Sequence, residues 1–234
     1  MRISLKKYAL FLMGAIVQEV TRLVLLRHGE TPWNTDTRIQ GHTDIPLNTV
    51  GVWQAQRLSA ALADQPLDAI YSSDLQRAWA TAQAVAAPHG VQVRAEPLLR
   101  ERCFGALEGL TWAEIEAQHP AHAIHWRTRT PEWSPPGGGE SLVRLQARVL
   151  GVLHRVAAAH MGQHIALVAH GGVLDALYRA AVGLDLQAPR SWLLKNAAIN
   201  RVLWTPDSLT LVGWGDTSHL DAPEQALLDE ASAA

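Results

Sequence analysis

Cysteine is nearly absent from this chain. Cys103 stands alone among 234 residues, which excludes an intrachain disulfide and a cysteine-rich metal site. Charge of one sign is lacking too: twenty Lys and Arg face twenty-two Asp and Glu, so no overall field recruits nucleic acid or an acidic membrane. Any anion site must therefore be local. The apolar stretch Tyr8 to Val17 is too short to span a bilayer, and no small-x-small cleavage site follows it before Gln18-Glu19-Val20. Residues 1–20 are therefore read as an N-terminal extension, an over-extended start with Met13 as an alternative, and the expected location is the cytoplasm. Internal repeats, low-complexity tracts and linker-like stretches are missing. One α/β domain over residues 21–220, followed by a tail at 221–234, is the expected organisation.

What the chain does have is two apolar runs that end in the same way. Leu23-Val24-Leu25-Leu26 runs into Arg27-His28-Gly29, and Ile165-Ala166-Leu167-Val168-Ala169 runs into His170-Gly171-Gly172. Continuous apolar runs of this length fit strands buried on both faces, as in a parallel sheet covered by helices. Open sheets of that kind keep their sites at the carboxyl ends of the strands, where both polar bursts fall.

The remaining pattern alternates helices and short strands. Glu30 to Thr49 reads as a long loop, and Asn48 or Thr49 caps a helix over Val50 to Ala63. Leu67 to Tyr71 reads as a strand, with Ser72-Ser73-Asp74 capping a helix over Leu75 to Ala87. Arg77 then sits in the first turn, where the helix dipole favours an anion; a solvated arginine is the bland alternative. Val91 to Arg94 alternates like a strand. Residues 111–139 read as a flap, with a short helix over Thr111 to Gln118, Arg127 and Arg129, and a Pro-Gly exit. Helices are expected over Ser141 to Ala159, with Leu142, Leu145, Val149, Leu153 and Val156 as the buried stripe, and over Val173 to Val182. Trp192 to Leu194 is placed near another helix end, and Asn200 to Trp204 with Leu209 to Trp214 forms a closing hairpin. The nine tryptophans read mainly as core, apart from Trp126 and Trp133 in the flap.

Arginine selects the ligand class. Its planar, permanently charged fork matches phosphate oxygens, so Arg27 beside His28 suggests a phosphoryl site, and a histidine can carry the transferred group. The glycine after each histidine lets a ligand approach the backbone.

Arg27-His28-Gly29-Glu30-Thr31 with Asn34 resembles the signature of the histidine phosphatase superfamily, which includes the cofactor-dependent phosphoglycerate mutases. The resemblance continues through Ser72 to Ala78 with Thr81-Ala82, through Leu99 to Arg102 with Phe104-Gly105 and Glu108-Gly109, and through His170-Gly171-Gly172. It implies a three-layer α/β/α sandwich with a mostly parallel central sheet. It implies that His28 is the nucleophile, that Arg27, Arg77 and His170 complete the phosphate pocket, and that Asn34 adds a hydrogen bond. Glu101 is implied as the proton donor to the leaving oxygen and then as the base. Gln40, Gly41 and Gly171 border the substrate on the same reading. No metal and no cofactor is implied for hydrolysis; 2,3-bisphosphoglycerate enters only for a mutase.

Two readings of other classes remain open. Two histidines with Glu101 could bind zinc, although an adjacent arginine opposes a cation and no His-x-x-x-His pair occurs in these blocks. A non-catalytic phosphate-binding module is also compatible with the fold. Within the family, mutases resemble Glu-Arg-His-Tyr-Gly where this chain has Glu101-Arg102-Cys103-Phe104-Gly105, and they carry a long basic insertion before the position of Glu140. The short segment through Pro135 and Gly139 resembles the phosphatase branch. The expected activity is hydrolysis of a small phosphorylated metabolite, with phosphoglycerate mutase as the alternative. No nucleic-acid or membrane partner is expected, and a homodimer is the default assembly.

Overall fold

The structure, a computed structural model, describes residues 19–221. The readings made for residues 1–18 and 222–234 lie outside the described residues. A six-stranded sheet forms the centre, in the order β3-β2-β4-β1-β5-β6. The strands are β1 (Thr21–Arg27), β2 (Ala69–Ser72), β3 (Val93–Ala95), β4 (His164–Ala169), β5 (Ile199–Thr205) and β6 (Ser208–Asp216). The β3-β2, β2-β4 and β4-β1 pairings are parallel, while β5 runs antiparallel to both β1 and β6.

The alternation of strand side chains explains the layers. Leu23 and Leu25 of β1 face one core, together with Leu145, Val149, Leu153 and Val156 of α6 (Leu142–Ala158) and Val173, Leu174 and Leu177 of α7 (Gly171–Val182). Val24 and Leu26 face the other, against Leu58 and Leu62 of α2 (Thr49–Leu62) and Ala78, Ala82 and Val85 of α3 (Gln76–Ala86). The expected three-layer α/β/α sandwich is therefore present. Its consequence for function lies in the register, since Arg27 pairs with Ala169 and the parallel β1 and β4 deliver His28 and His170 side by side.

Several local expectations are corrected. The loop from Glu30 to Thr49 contains a four-residue helix, α1 (Pro32–Thr35), because Thr31 and Asn34 form a capping box and Pro32 occupies a first-turn position. Helix α3 starts at Gln76 without a cap from Ser72, Ser73 or Asp74. Those side chains have other partners, Arg100 for Asp74 and His170 for Ser73, and Asp44 from a distant loop accepts the Gln76 amide at 2.8 Å. The flap is more regular than a loop: α4 (Trp112–Gln118) is followed by α5 (Pro120–Arg127), again with proline in the first turn. Trp192 to Leu194 lies in irregular chain and not near a helix end, held by stacking of Trp192 on Tyr178 at 4.1 Å between centroids. Of the nine tryptophans only Trp204 is buried; Trp214 packs partly buried against the same core, Trp112, Trp126 and Trp133 pack against a small core in the flap, and Trp53 is exposed.

Candidate active site

His28 follows β1 directly and is buried. Its Nδ1 meets the Gly29 carbonyl oxygen at 2.6 Å, and since a carbonyl can only accept, the proton resides on Nδ1 and the lone pair on Nε2. The same carbonyl accepts from Asn196 Nδ2 at 3.2 Å, which also donates to the His28 carbonyl at 3.0 Å. Asn196 thus fixes the group that fixes the tautomer. Burial, followed by the charges of Arg27 and Arg77, pushes the His28 pKa well below the ordinary histidine value. A neutral ring with a free Nε2 is a competent nucleophile.

His170 stands 5.2 Å from His28 between ring centroids and is fully buried. Its Nε2 bonds Ser73 Oγ at 2.8 Å, while its Nδ1 has no partner. Burial, then Arg77, His28 and Arg27, lowers its pKa in the same direction.

Arg77 is fully buried, which removes the reading of a solvated arginine. Its guanidinium donates to the carbonyls of Gly41 at 2.8 Å and Thr43 at 3.0 Å, and its Nε remains without a partner. Arg27 donates through Nη1 to the Leu194 carbonyl, and its Nε is likewise buried and unpartnered. Desolvation lowers the Arg27 pKa to about 10, with Arg190 and Arg77 adding to the effect and Glu101 opposing it. Three of the sequence-selected phosphate ligands therefore each keep a buried nitrogen with unused hydrogen-bonding capacity.

Glu101 is held from two directions. Both of its oxygens accept from the Gly172 amide at 3.0 Å, at the N-terminus of α7, and Oε1 accepts from the Arg102 amide at 2.8 Å. The approach is so close that a Cβ on Gly172 would overlap Glu101 Oε1. His42 Nε2 braces the backbone carbonyl of Glu101 at 2.8 Å. Asn34 accepts through Oδ1 from Thr31 and Asn196. That assignment leaves its amide NH2 toward a cavity of about 160 Å³ which it lines with Arg27, His28, Gln40, Gly41, Arg77 and Glu101. Gly171 lines a second cavity of about 610 Å³, reached past Glu101.

All the sequence-selected positions thus converge, Gly171 on the larger cavity and His170 behind the smaller one. Two residues whose roles sequence reasoning missed are Asn196 and Glu108. Glu108 accepts from the amides of His42, Thr43 and Phe104 and from the Thr43 hydroxyl, so it clamps the loop whose carbonyls seat Arg77. The Glu108-Gly109 block belonged to the resemblance but signalled no role, because its partners are backbone atoms. Among the described residues no group of three or more His, Cys, Asp or Glu could hold a metal ion, and no helix is long and apolar enough to cross a membrane.

Comparison with known proteins shows what the whole chain is similar to. The chain is 38% identical to phosphoglycerate mutase-like protein 4 of Arabidopsis thaliana over 206 residues, covering 87% of this chain and 88% of that protein. It is 38% identical over 213 residues to a metal-independent phosphoserine phosphatase of the same plant, with 88% and 86% covered. The mycobacterial glucosyl-3-phosphoglycerate phosphatase solved with VO3 superposes with a TM-score of 0.76 at 33% identity, covering 84% of this chain and 99% of that one. The family described as histidine phosphatase superfamily (branch 1) matches residues 23–217, and the chain belongs to it.

Proposed function

We propose that the protein is a phosphomonoesterase that hydrolyses a small phosphorylated metabolite through a phosphohistidine on His28. The observation that carries this reading is the His28 ring: Nδ1 is tied to the Gly29 carbonyl, and Nε2 is free beside a small cavity lined by three arginines, Arg27, Arg38 and Arg77, and the Glu101 carboxylate. Phosphatase names among the similar proteins support it.

In the proposed cycle, Nε2 attacks phosphorus in line while the ester P–O bond breaks. The leaving oxygen takes a proton from Glu101. Arg27, Arg77, His170 and Asn34 stabilise the equatorial oxygens as negative charge spreads over them. Glu101, now a carboxylate, removes a proton from water, the hydroxide adds to phosphorus, and the P–N bond breaks to release inorganic phosphate and neutral His28. No cofactor takes part. The alternative of a mutase differs only in the acceptor, a second hydroxyl in place of water, and would need 2,3-bisphosphoglycerate for priming.

The test is a pair of assays: inorganic phosphate release from sugar and organic phosphates, and 2-phosphoglycerate formation from 3-phosphoglycerate with 2,3-bisphosphoglycerate. Phosphate release is expected, and efficient 2-phosphoglycerate formation without it would overturn the choice. His28→Ala is expected to abolish turnover and trapping of acid-labile, alkali-stable phosphoprotein.

A further inference from the structure

Strands β2 and β4 are parallel neighbours with Ser72 opposite Val168, so the residues that follow them emerge together. The Ser73 amide donates to the Val168 carbonyl at 3.0 Å, and the Ser73 hydroxyl oxygen meets Nε2 of His170 at 2.8 Å. Both residues are completely buried. Serine is a residue type that caps helices, yet α3 begins at Gln76 without a side-chain cap. The Ser73 hydroxyl is engaged with His170 instead.

The direction of the Ser73–His170 bond follows from the hydrogens available. The Leu75 amide donates to Ser73 Oγ at 3.3 Å, and the oxygen has one hydrogen of its own to place. If that hydrogen goes to Nε2, the chain from Leu75 N–H through Ser73 O–H to His170 Nε2 is complete, and the ring proton sits on Nδ1. If Nε2 carried the proton, the oxygen would accept twice and its own hydrogen would have no partner among the described residues. The other ring nitrogen agrees. His170 Nδ1 is buried and unpartnered, as are Arg27 Nε and Arg77 Nε. A bare Nδ1 would be an acceptor amid cationic donors, and neither arginine bonds to it. Three buried donors without an acceptor describe a site for an anion. Burial, then Arg77, His28, Arg27 and His42, opposes a second proton on the ring.

Resting on the phosphomonoesterase reading, we propose that Ser73 is a positioning residue: its hydroxyl donates to His170 Nε2 and so keeps the ring proton on Nδ1, as a neutral donor to the transferring phosphoryl group. The same tautomer then serves two tasks from opposite ends. In His28 a carbonyl ties up the N–H and the lone pair is free; in His170 a hydroxyl ties up the lone pair and the N–H is free. Ser73 thereby also separates the roles of the two rings, since His170 has no free lone pair with which to attack phosphorus.

The test reads the ring protons directly. Long-range proton–nitrogen NMR correlations of the nitrogen-15-labelled protein report the tautomer of each histidine, with the His170 signals identified by their loss in His170→Gln. The parent at neutral pH, without substrate, is expected to show His170 protonated on Nδ1 and bare on Nε2. Added inorganic phosphate is expected to shift the Nδ1 signal. Ser73→Ala is expected to populate the Nε2-protonated tautomer and to lower kcat for phosphate release roughly tenfold, the scale of one hydrogen bond to a charged group. Ser73→Thr returns the hydroxyl and is expected to restore the parental tautomer. A parental ring protonated on Nε2, or a tautomer unchanged in Ser73→Ala, would overturn the role of Ser73. The parental tautomer with its phosphate-dependent shift, but no phosphate released from any sugar or organic phosphate, would leave that role standing and overturn the phosphomonoesterase reading.

Discussion

At the scale of single residues, Gly172 decides where Glu101 can be. The amide of Gly172 donates to both carboxylate oxygens, and the missing side chain is what allows the approach. Alanine is the better helix former by about 1 kcal/mol, so Gly172→Ala in the first turn of α7 is not expected to weaken the helix. Its Cβ must nevertheless push the carboxylate aside. A displacement near 1 Å of a group that moves protons lowers the rate by roughly a hundredfold. We therefore expect Gly172→Ala to retain its melting temperature and to lose about two orders of magnitude in kcat, read by phosphate release beside thermal unfolding. A kcat within twofold of the parent would show that Gly172 does not position Glu101. The residues proposed to do the chemistry were legible in the sequence because Arg27, His28 and His170 stand where apolar runs end in a polar burst. Asn196 was not, since it acts on the carbonyls of His28 and Gly29, far away in the chain, and backbone partners leave no trace in side-chain pattern.

At the scale of elements, the segment from Gln40 to Asp44 behaves as a clasp between the sheet and the cap. Gly41 and Thr43 offer carbonyls to Arg77, Asp44 caps α3, and Glu108 receives the amides of His42 and Thr43. Gly41 adopts φ +54°, a left-handed conformation suited to glycine, and a Cβ there would strike Glu108. Burial raises the Glu108 pKa, and the hydrogen bonds from His42, Thr43 and Phe104 more than offset this, so its carboxyl ends below the ordinary 4.5. A folded-state value below the unfolded one makes the contribution complete above about pH 4.5 and removes it as pH falls through the lower folded value. Glu108→Gln replaces one accepting oxygen with a donor facing donors. Its expected effect is a loss of about 1–3 kcal/mol in urea unfolding at neutral pH, shrinking toward zero in acid, together with a raised KM from the loosened Arg77 seat. A stability difference independent of pH would remove the carboxylate from this account. The amphipathic stripe of α6 and the β5-β6 hairpin were readable by periodicity alone. Helices α1 and α5 were obscured because Pro32 and Pro120 look like breakers until they are recognised as first-turn residues.

At the scale of the whole molecule, the sandwich carries two large cores and the cap carries a small third one. Leu107, Ile115 and Ala123 are buried there among Phe104, Trp112, Trp126 and Trp133, and Phe104 stacks on Trp126 at 4.8 Å. Three buried aliphatics cannot hold two short helices by themselves, so the cap depends on its ties to the sandwich. One of these ties is Arg129. It has φ +51°, a conformation that costs a non-glycine residue on the order of 1 kcal/mol, and from it the side chain reaches Asp175 of α7 and the Leu186 carbonyl at 2.8 Å. The backbone strain is tolerated because those bonds oppose it. Sequence placed Arg129 in a flap but could not foresee the partner, which comes from a helix 46 residues further along. Arg129→Ala removes both bonds while the strained backbone conformation remains. Amides of α4 and α5 are then expected to exchange with deuterium roughly tenfold faster, matching about 1.4 kcal/mol of local opening for a partly buried pair, while amides of β1 and β4 keep their parental rates. Equal acceleration in cap and sheet would mean that the two open together, and that the cap cannot part from the sandwich to admit a leaving group while the phosphoryl site stays formed.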